Sequence, residues 1–143
     1  MIIRKFDLHN DLNLFHFRKY KTEIIIDSDI TTSFFPKEMF LKKFKDHLYL
    51  AIEKNHYLGY VYYDIEQEGE GIYCLIYAIH IIKDARGSRI GSKLMFQVLE
   101  DCKRNNIEKV VLNVNKDNDK AQNFYQKFGF KIKSYRMVLE RKS

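Results

Sequence analysis

A short segment that contains two glycines and two arginines, residues 86–91 (RGSRIG), is the part of this sequence best suited to chemistry. It follows the apolar run 71–82, which is typical of a buried strand, and it precedes a stretch with the three-four apolar spacing of a helix. The start of a helix presents unpaired amide N–H groups and the positive end of the helix dipole. The glycines leave room for a ligand beside the backbone, and the arginines can add charge-assisted hydrogen bonds. The segment therefore predicts an anion site.

Two common nucleotide-binding patterns do not fit this loop. The P-loop pattern requires Gly-x4-Gly-Lys-Ser/Thr, whereas Gly87 and Gly91 are closer together and are followed by SKL. The dinucleotide pattern Gly-x-Gly-x-x-Gly is absent. A third pattern, Gln/Arg-x-x-Gly-x-Gly/Ala, matches at Arg86 and Gly91, with Gly87 at a frequent glycine position and Arg89 in place of the fourth-position glycine. A strand turn and close helix packing would explain the same two glycines equally well.

A second group of residues lies downstream in the stretch LNVNKDNDKAQNFYQKFGF. Asn118, Ala121, Tyr125 and the pair Gly129-Phe130 occur there at the offsets that accompany the third pattern. Residues 79–130 therefore resemble the acetyl-CoA-binding core of the GNAT superfamily of N-acetyltransferases, and the preceding segments are similar to the family's N-terminal half. The resemblance implies an α/β fold: a single mixed, mostly antiparallel sheet with helices on both faces and a parallel central pair of strands that holds the cofactor.

The resemblance also implies an activity and a set of site residues. The activity is transfer of an acetyl group from acetyl-CoA to a primary amine of a small molecule or protein, by direct attack in a ternary complex and without a metal. Tyr125 corresponds to the general acid that protonates the departing thiolate, although an aromatic packed against the sheet would look the same. Asn118 corresponds to a coenzyme contact, although asparagine often caps helices. The residues expected to bind the cofactor are Ile79, His80, Ile81, Arg86, Gly87, Ser88, Arg89, Ile90, Gly91, Ser92 and Asn118.

The proton acceptor is not identified by the sequence. An ammonium group has no lone pair with which to attack a thioester, so a base or a water chain must first remove a proton. One branch of the family uses a glutamate at the position of Asn113, where asparagine cannot serve, and another uses the position of Tyr73. His80 is a third candidate because histidine titrates near neutral pH, although a histidine there is more often a core residue. The remaining candidates are the glutamates predicted to lie in a turn, Glu66, Glu68 and Glu70.

Hydrophobic patterning predicts the elements that position these residues. We expect an antiparallel meander followed by β-α-β-α-β, which is typical of one α/β domain over residues 1–143. Residues 21–35 have no clear pattern, and their Asp27 and Asp29 could favour a cationic amine substrate. The backbone amide of Arg89 can still donate a hydrogen bond to a bound anion if the backbone of this residue is helical. The predicted strands are 2–6, 47–54, 60–67, 72–82, 108–115 and 130–140; the predicted helices are 8–20, one opened by Pro36, 90–102 and 116–130.

Composition limits the class of protein. The chain has 143 residues, 45% hydrophobic and 31% charged, which is typical of a folded domain. It has neither a membrane-span-length apolar stretch nor a signal peptide, so a cytoplasmic location is expected. Cys74 and Cys102 are predicted to be reduced core residues. The formal charge of +6 is spread thinly, without the basic stripe of a nucleic-acid binder, and a phosphorylated cofactor would account for it.

The expected partners follow from the same reasoning. They are acetyl-CoA or CoA and an amine-bearing small molecule or protein, without nucleic acid or membrane, and a homodimer is one of the assemblies that the sequence allows. The alternative function is a catalytically weak CoA-binding sensor or interaction module with the same fold. Arg89 in the loop and the missing glutamate at Asn113 keep that alternative open.

Overall fold

A computed structural model of the chain describes residues 1–27, 29–34 and 37–141. These residues form two compact units, Met1–Leu112 and Asn113–Ser143. No helix in the described part of the chain is long and apolar enough to cross a membrane.

The first unit is built on a five-stranded sheet. All neighbouring strands in it are antiparallel except β7 and β8, which are parallel. This confirms the predicted mixed, mostly antiparallel sheet with a parallel pair, although in the described pairings β8 is the edge strand and not a central one. The strands lie side by side in the order β1 (Ile2–Lys5), β5 (Leu48–Glu53), β6 (His56–Glu68), β7 (Gly71–Ile81) and β8 (Val110–Leu112).

The described residues also form a separate three-stranded antiparallel sheet, which sequence patterning did not predict. It consists of β2 (Phe15–Arg18), β3 (Lys21–Ile26) and β4 (Asp29–Ser33). The helix predicted over residues 8–20 is therefore wrong beyond its first turns, because α1 (Leu8–Asp11) and a 3₁₀ turn lead directly into β2. Phe15 lies opposite Ile24 across β2 and β3 and both are buried, so tertiary packing decides this segment.

Helices cover both faces of the five-stranded sheet. Helix α3 (Ile90–Arg104) packs against β5, β6 and β7 through its apolar stripe, which is fully buried at Leu94, Met95 and Val98. Helix α2 (Lys37–Phe44) contacts β6 and β3 on the other face, where Phe40 packs edge-on against Tyr62. The predicted start of α2 at Pro36 lies outside the described residues. Both cysteines, Cys74 and Cys102, are free and buried, as predicted.

The second unit contains α4 (Asp119–Lys127), and residues 131–141 after it form neither helix nor strand. The strand predicted at 130–140 is therefore wrong. Alternating apolar residues indicated it, but a strand also needs a partner, and no described strand pairs with this segment. Its apolar side chains are instead exposed, including Tyr135, Met137 and Leu139.

Two buried carboxylates join the elements of the first unit. Asp11 accepts hydrogen bonds from Arg4 at 2.6 and 2.8 Å, from the Tyr57 hydroxyl at 2.7 Å and from the Asp7 amide at 2.8 Å. Burial opposes its ionisation, but these donors outweigh burial and lower the pKa of the Asp11 carboxyl. Asp101 on α3 likewise accepts from the hydroxyls of Tyr49 on β5 (2.5 Å) and Tyr63 on β6 (2.8 Å) and from Gln97 and Arg104. These donors overcome burial in the same way and lower the pKa of Asp101.

We expect acid to unfold this protein in part through Asp11 and Asp101. Their pKa values in the folded state lie below the value of about 3.9 that is usual for unfolded aspartate, so the unfolded chain takes up protons at higher pH than the folded chain. Their contribution to the free energy of unfolding is therefore complete above the pKa that they have in the unfolded chain. It is lost as the pH falls through the pKa that they have in the folded protein. Urea unfolding at a series of pH values below about 5 measures this loss. Asp11→Asn should make the free energy of unfolding depend less steeply on pH, so the slope of that free energy against pH should be smaller. An equal slope in parent and variant would contradict the assignment.

Candidate functional site

Among the described residues, the C-terminal half of β7 pairs with a strand on one side only. Its residues 78–81 pair with β6, but its parallel pairing with β8 stops at Ile76, opposite Leu112. Between these stretches Tyr77 is an extra residue, because Tyr62 lies opposite Ala78 and Tyr63 lies opposite Ile76. Such a bulge bends the strand and locally disrupts the ladder. Within the described pairings, β7 therefore offers a free backbone edge from residue 77 to residue 81.

That free edge continues into the loop predicted to bind an anion. A 3₁₀ turn, Lys83–Ala85, follows β7, and the Arg86 Nε donates to the Ile81 carbonyl at 3.1 Å. Gly87 has a φ of 88°, and Arg89 immediately precedes α3 with a φ of 65°. These left-handed residues reverse the chain so that it enters α3 at Ile90, whose side chain is buried.

The backbone amides of residues 87–92 lie at the entry to α3 and in its first turn. In the described part of the chain, no backbone carbonyl or side chain accepts a hydrogen bond from any of them. A Cβ added at Gly87 would meet no atom within 4 Å, so the space beside the loop is open and the glycine is required by its φ alone. The structure thus brings together, in one continuous segment, the predicted residues Ile79, His80, Ile81, Arg86, Gly87, Ser88, Arg89, Ile90, Gly91 and Ser92.

Arg89 has a left-handed backbone, not the right-handed helical angles under which its amide was expected to donate. Its amide nevertheless has no acceptor in the described part of the chain. Residue 89 therefore has the left-handed conformation that a glycine, the residue of the pattern at this position, adopts easily. For arginine this conformation costs about 1–2 kcal/mol of stability.

We expect Arg89→Gly to stabilise the protein by about 0.5–1 kcal/mol, because glycine removes that penalty and only partly offsets it with unfolded-state entropy. Thermal unfolding measures the gain. Arg89→Ala is the control, since it removes the same side chain but keeps the left-handed strain. A gain from Arg89→Ala as large as that from Arg89→Gly would contradict the explanation.

The second unit holds the other two predicted site residues, both on or beside α4. Asn118 caps this helix, because its Oδ1 accepts from the Ala121 amide at 3.1 Å, while its Nδ2 has no partner among the described residues. Tyr125 is half-buried, with ring centroids 5.4 Å from Phe124 and 6.0 Å from Phe130. Burial raises the pKa of the Tyr125 hydroxyl, which keeps it protonated.

Two of the candidate proton acceptors, Glu66 and Glu68, already interact with other side chains. Glu66 lies in β6, not in the predicted turn, and accepts a 2.5 Å hydrogen bond from the Tyr77 hydroxyl. Glu68 forms a 3.0 Å ion pair with Lys109, whose Nζ also lies 5.7 Å from the ring centroid of Tyr73. Glu70 is exposed in the turn before β7.

His80 is the candidate proton acceptor that lies beside a carboxylate. Its Nε2 lies 3.3 Å from Oδ2 of Asp29 on β4, and its ring centroid lies 5.9 Å from that of Tyr60. The Tyr60 hydroxyl is in turn hydrogen-bonded to Thr31 of β4. Sequence reasoning missed Tyr60 and Thr31, although the alternation of Tyr60 and Tyr62 along β6 could have indicated a shared tyrosine face.

The chain is similar in sequence to a known family and to named proteins. The sequence pattern of the acetyltransferase (GNAT) family matches residues 8–130. A 5-NmdU N-acetyltransferase of Pseudomonas phage PaMx11 is 28% identical over 105 residues, covering 65% of this chain and 72% of that protein. The chloroplastic GCN5-related N-acetyltransferase 6 of Arabidopsis thaliana is 37% identical over 68 residues, but the match covers only 48% of this chain and 24% of that protein.

Solved structures have the same fold. A Pyrococcus furiosus protein whose name assigns it to the acetyl transferases superimposes with a TM-score of 0.65 at 30% identity, covering 73% of this chain and 71% of that one. Arabidopsis thaliana Naa50, solved in complex with the bisubstrate analogue CoA-Ac-MVNAL, superimposes with a TM-score of 0.72 at 22% identity, covering 93% of this chain and 84% of that one. This chain therefore belongs to the acetyltransferase (GNAT) family of enzymes, whose pattern spans residues 8–130.

Proposed function

We propose that this protein transfers an acetyl group from acetyl-CoA to a primary amine by direct attack in a ternary complex. The observation that carries the proposal is the edge of β7 at residues 77–81, which is free in the described pairings and continues into a loop whose amides at 87–92 have no acceptor among the described residues. An extended pantetheine arm can pair with such an edge as an added strand would, and a pyrophosphate can accept from such amides.

The residues of this segment would divide the work of holding acetyl-CoA. The backbone of Ile79, His80 and Ile81 would pair with the pantetheine arm, and the loop amides would bind the pyrophosphate. Arg86 and Arg89 would add charge to the phosphate site; the Arg86 side chain already donates to the Ile81 carbonyl and so joins the two parts. Asn118 would contribute through its Nδ2, because its Oδ1 caps α4.

The chemical step needs a proton removed from the ammonium group of the acceptor and a proton supplied to the departing thiolate. The amine nitrogen then attacks the thioester carbonyl carbon, and the carbon–sulfur bond breaks. Tyr125 is suited to the second task, since burial raises the pKa of its hydroxyl and keeps the proton available at neutral pH. A thiol with a pKa near 8.5 is already a fair leaving group, so this assistance is moderate.

The names of two of the similar proteins suggest which acceptors to test. One is named for 5-NmdU, and the other was solved with an analogue that joins CoA to the peptide MVNAL. An amine panel should therefore contain 5-NmdU, a peptide with the free N-terminus MVNAL, and polyamines, with thiol release from acetyl-CoA as the readout. Turnover with any of them supports the enzyme. Tight CoA binding without turnover would favour the alternative of a CoA-binding module.

We expect Gly87→Val to weaken acetyl-CoA binding by at least tenfold, because a branched side chain would occupy the space beside the loop and strain its φ of 88°. Gly69→Val is a matched control: Gly69 also has a positive φ, 61°, and open space around it, but it lies in the β6–β7 turn. Isothermal titration calorimetry on both folded variants measures the affinity. Equal affinity in Gly87→Val and Gly69→Val would contradict the assignment of the loop.

A further inference from the structure

The three-stranded sheet places an acidic residue beside the strand end that we assign to acetyl-CoA. Asp29 is the first residue of β4, and its Oδ2 lies 3.3 Å from Nε2 of His80 on β7. The His80 side chain is 19% exposed and that of Asp29 is 34% exposed, so the pair lies at the protein surface without being fully solvated. This contact joins two sheets that are separate in their backbone pairing.

The orientation of the imidazole decides which nitrogen can take a proton. Nε2 is buried, and in the described part of the chain no group forms an aligned hydrogen bond with it. The carboxylate of Asp29 is the acidic group at ion-pair distance from Nε2, so it favours the tautomer that carries its hydrogen on Nε2. The lone pair is then on Nδ1, the nitrogen that Asp29 does not approach.

The charged and titratable groups around His80 come from three elements. Asp29 approaches from β4, and Tyr60 approaches from β6 with its hydroxyl bound to Thr31. Arg86, from the loop after β7, binds the carbonyl of the neighbouring residue Ile81. Asp29 is the anionic member of this group, and its carboxylate lies against the ring.

We propose that His80 accepts the proton of the acceptor ammonium at Nδ1 and that Asp29 is its positioning residue. This inference rests on the proposed acetyl transfer. One proton passes from the ammonium group to His80, and the carbon–nitrogen bond forms as the carbon–sulfur bond breaks. The thiolate takes a proton from the Tyr125 hydroxyl, which is restored from solvent. The second nitrogen proton and the proton on His80 leave to solvent, so that one proton is released per turnover.

The test compares His80→Gln with a matched pair elsewhere in the same unit. His47 Nδ1 lies 3.3 Å from Asp64 Oδ1 and is likewise buried without an aligned hydrogen bond, but His47 directly precedes β5 and is not part of the proposed site. We expect His80→Gln to lower kcat by roughly 10²-fold or more, the usual range for a general base, and His47→Gln to leave kcat nearly unchanged. The affinity for acetyl-CoA should be unchanged in both variants, because the backbone at residue 80 remains.

Two further readouts separate proton transfer from structural support. Added imidazole should partly restore kcat in His80→Ala but not in Tyr125→Phe. Asp29→Asn should lower kcat without changing the affinity for acetyl-CoA, because it removes the carboxylate that lies against Nε2 of His80, and Asp29→Glu should partly restore kcat.

The outcomes distinguish this inference from the function on which it rests. An active parent with unchanged kcat in His80→Gln, or with no imidazole rescue of an impaired His80→Ala, would overturn the role of His80 alone. A His80→Gln variant that has lost acetyl-CoA affinity would also overturn it, by assigning the side chain to cofactor binding. A parent that is inactive on every amine of the panel would overturn the acetyl transfer and this inference together.

Discussion

Replacing Tyr125 by phenylalanine should lower kcat by roughly ten- to a thousandfold and leave acetyl-CoA affinity nearly unchanged. The substitution keeps the aromatic ring and its contacts with Phe124 and Phe130, and it removes only the hydroxyl proton. That hydroxyl has no hydrogen-bond partner in the described part of the chain, so its loss should cost little stability. A loss of kcat near the tenfold end of this range is expected if the thiolate leaves with little assistance.

The measurement is steady-state kcat on the best amine of the panel, together with calorimetric titration of acetyl-CoA. Tyr135→Phe is the matched control, because it makes the same chemical change in the same unit on a side chain that is 83% exposed. Parent-like turnover in Tyr125→Phe would show that the tyrosine serves only packing. Equal losses in the two variants would assign the effect to something other than proton donation.

Replacing Asp11 by alanine should destabilise the protein by about 3 kcal/mol or more. The change leaves Arg4, the Tyr57 hydroxyl and the Asp7 amide without the acceptor that they share. Breaking a buried ion pair from one side typically costs about 3–5 kcal/mol, and the low end applies because the Arg4 side chain is 36% exposed and can reach water. Asp11 itself is fully buried.

Urea unfolding at pH 7 measures this loss as a lower transition midpoint with an unchanged slope. Glu53→Ala is the control: Glu53 pairs with the N-terminal amine at 3.8 Å but is 55% exposed, so its removal should change stability by less than about 1 kcal/mol. Tyr57→Phe removes one of the donors and should cost about 1 kcal/mol. An Asp11→Ala variant no less stable than Glu53→Ala would contradict the role given to this network.

The sequence by itself determined the family, the mixed sheet and the glycine-containing loop that precedes α3. These features depend on local patterns: a continuous apolar run for β7, three-four spacing for α3, and glycine where the chain must turn with a positive φ at residue 87. Helix α4 and its asparagine cap were predictable for the same reason, since a cap acts within one turn of its helix.

The tertiary structure decided whatever depends on residues distant in the chain. Strands β2, β3 and β4 form a second sheet because burial of Phe15, Ile24 and Ile26 outweighs a weak local pattern. That sheet brings Asp29 to His80 across 51 positions of sequence. Conversely, residues 131–141 have a strand pattern but no partner strand among the described residues. The physical reason is the same in both cases: a strand, a buried carboxylate and a histidine–carboxylate pair each require a second group that local sequence does not identify.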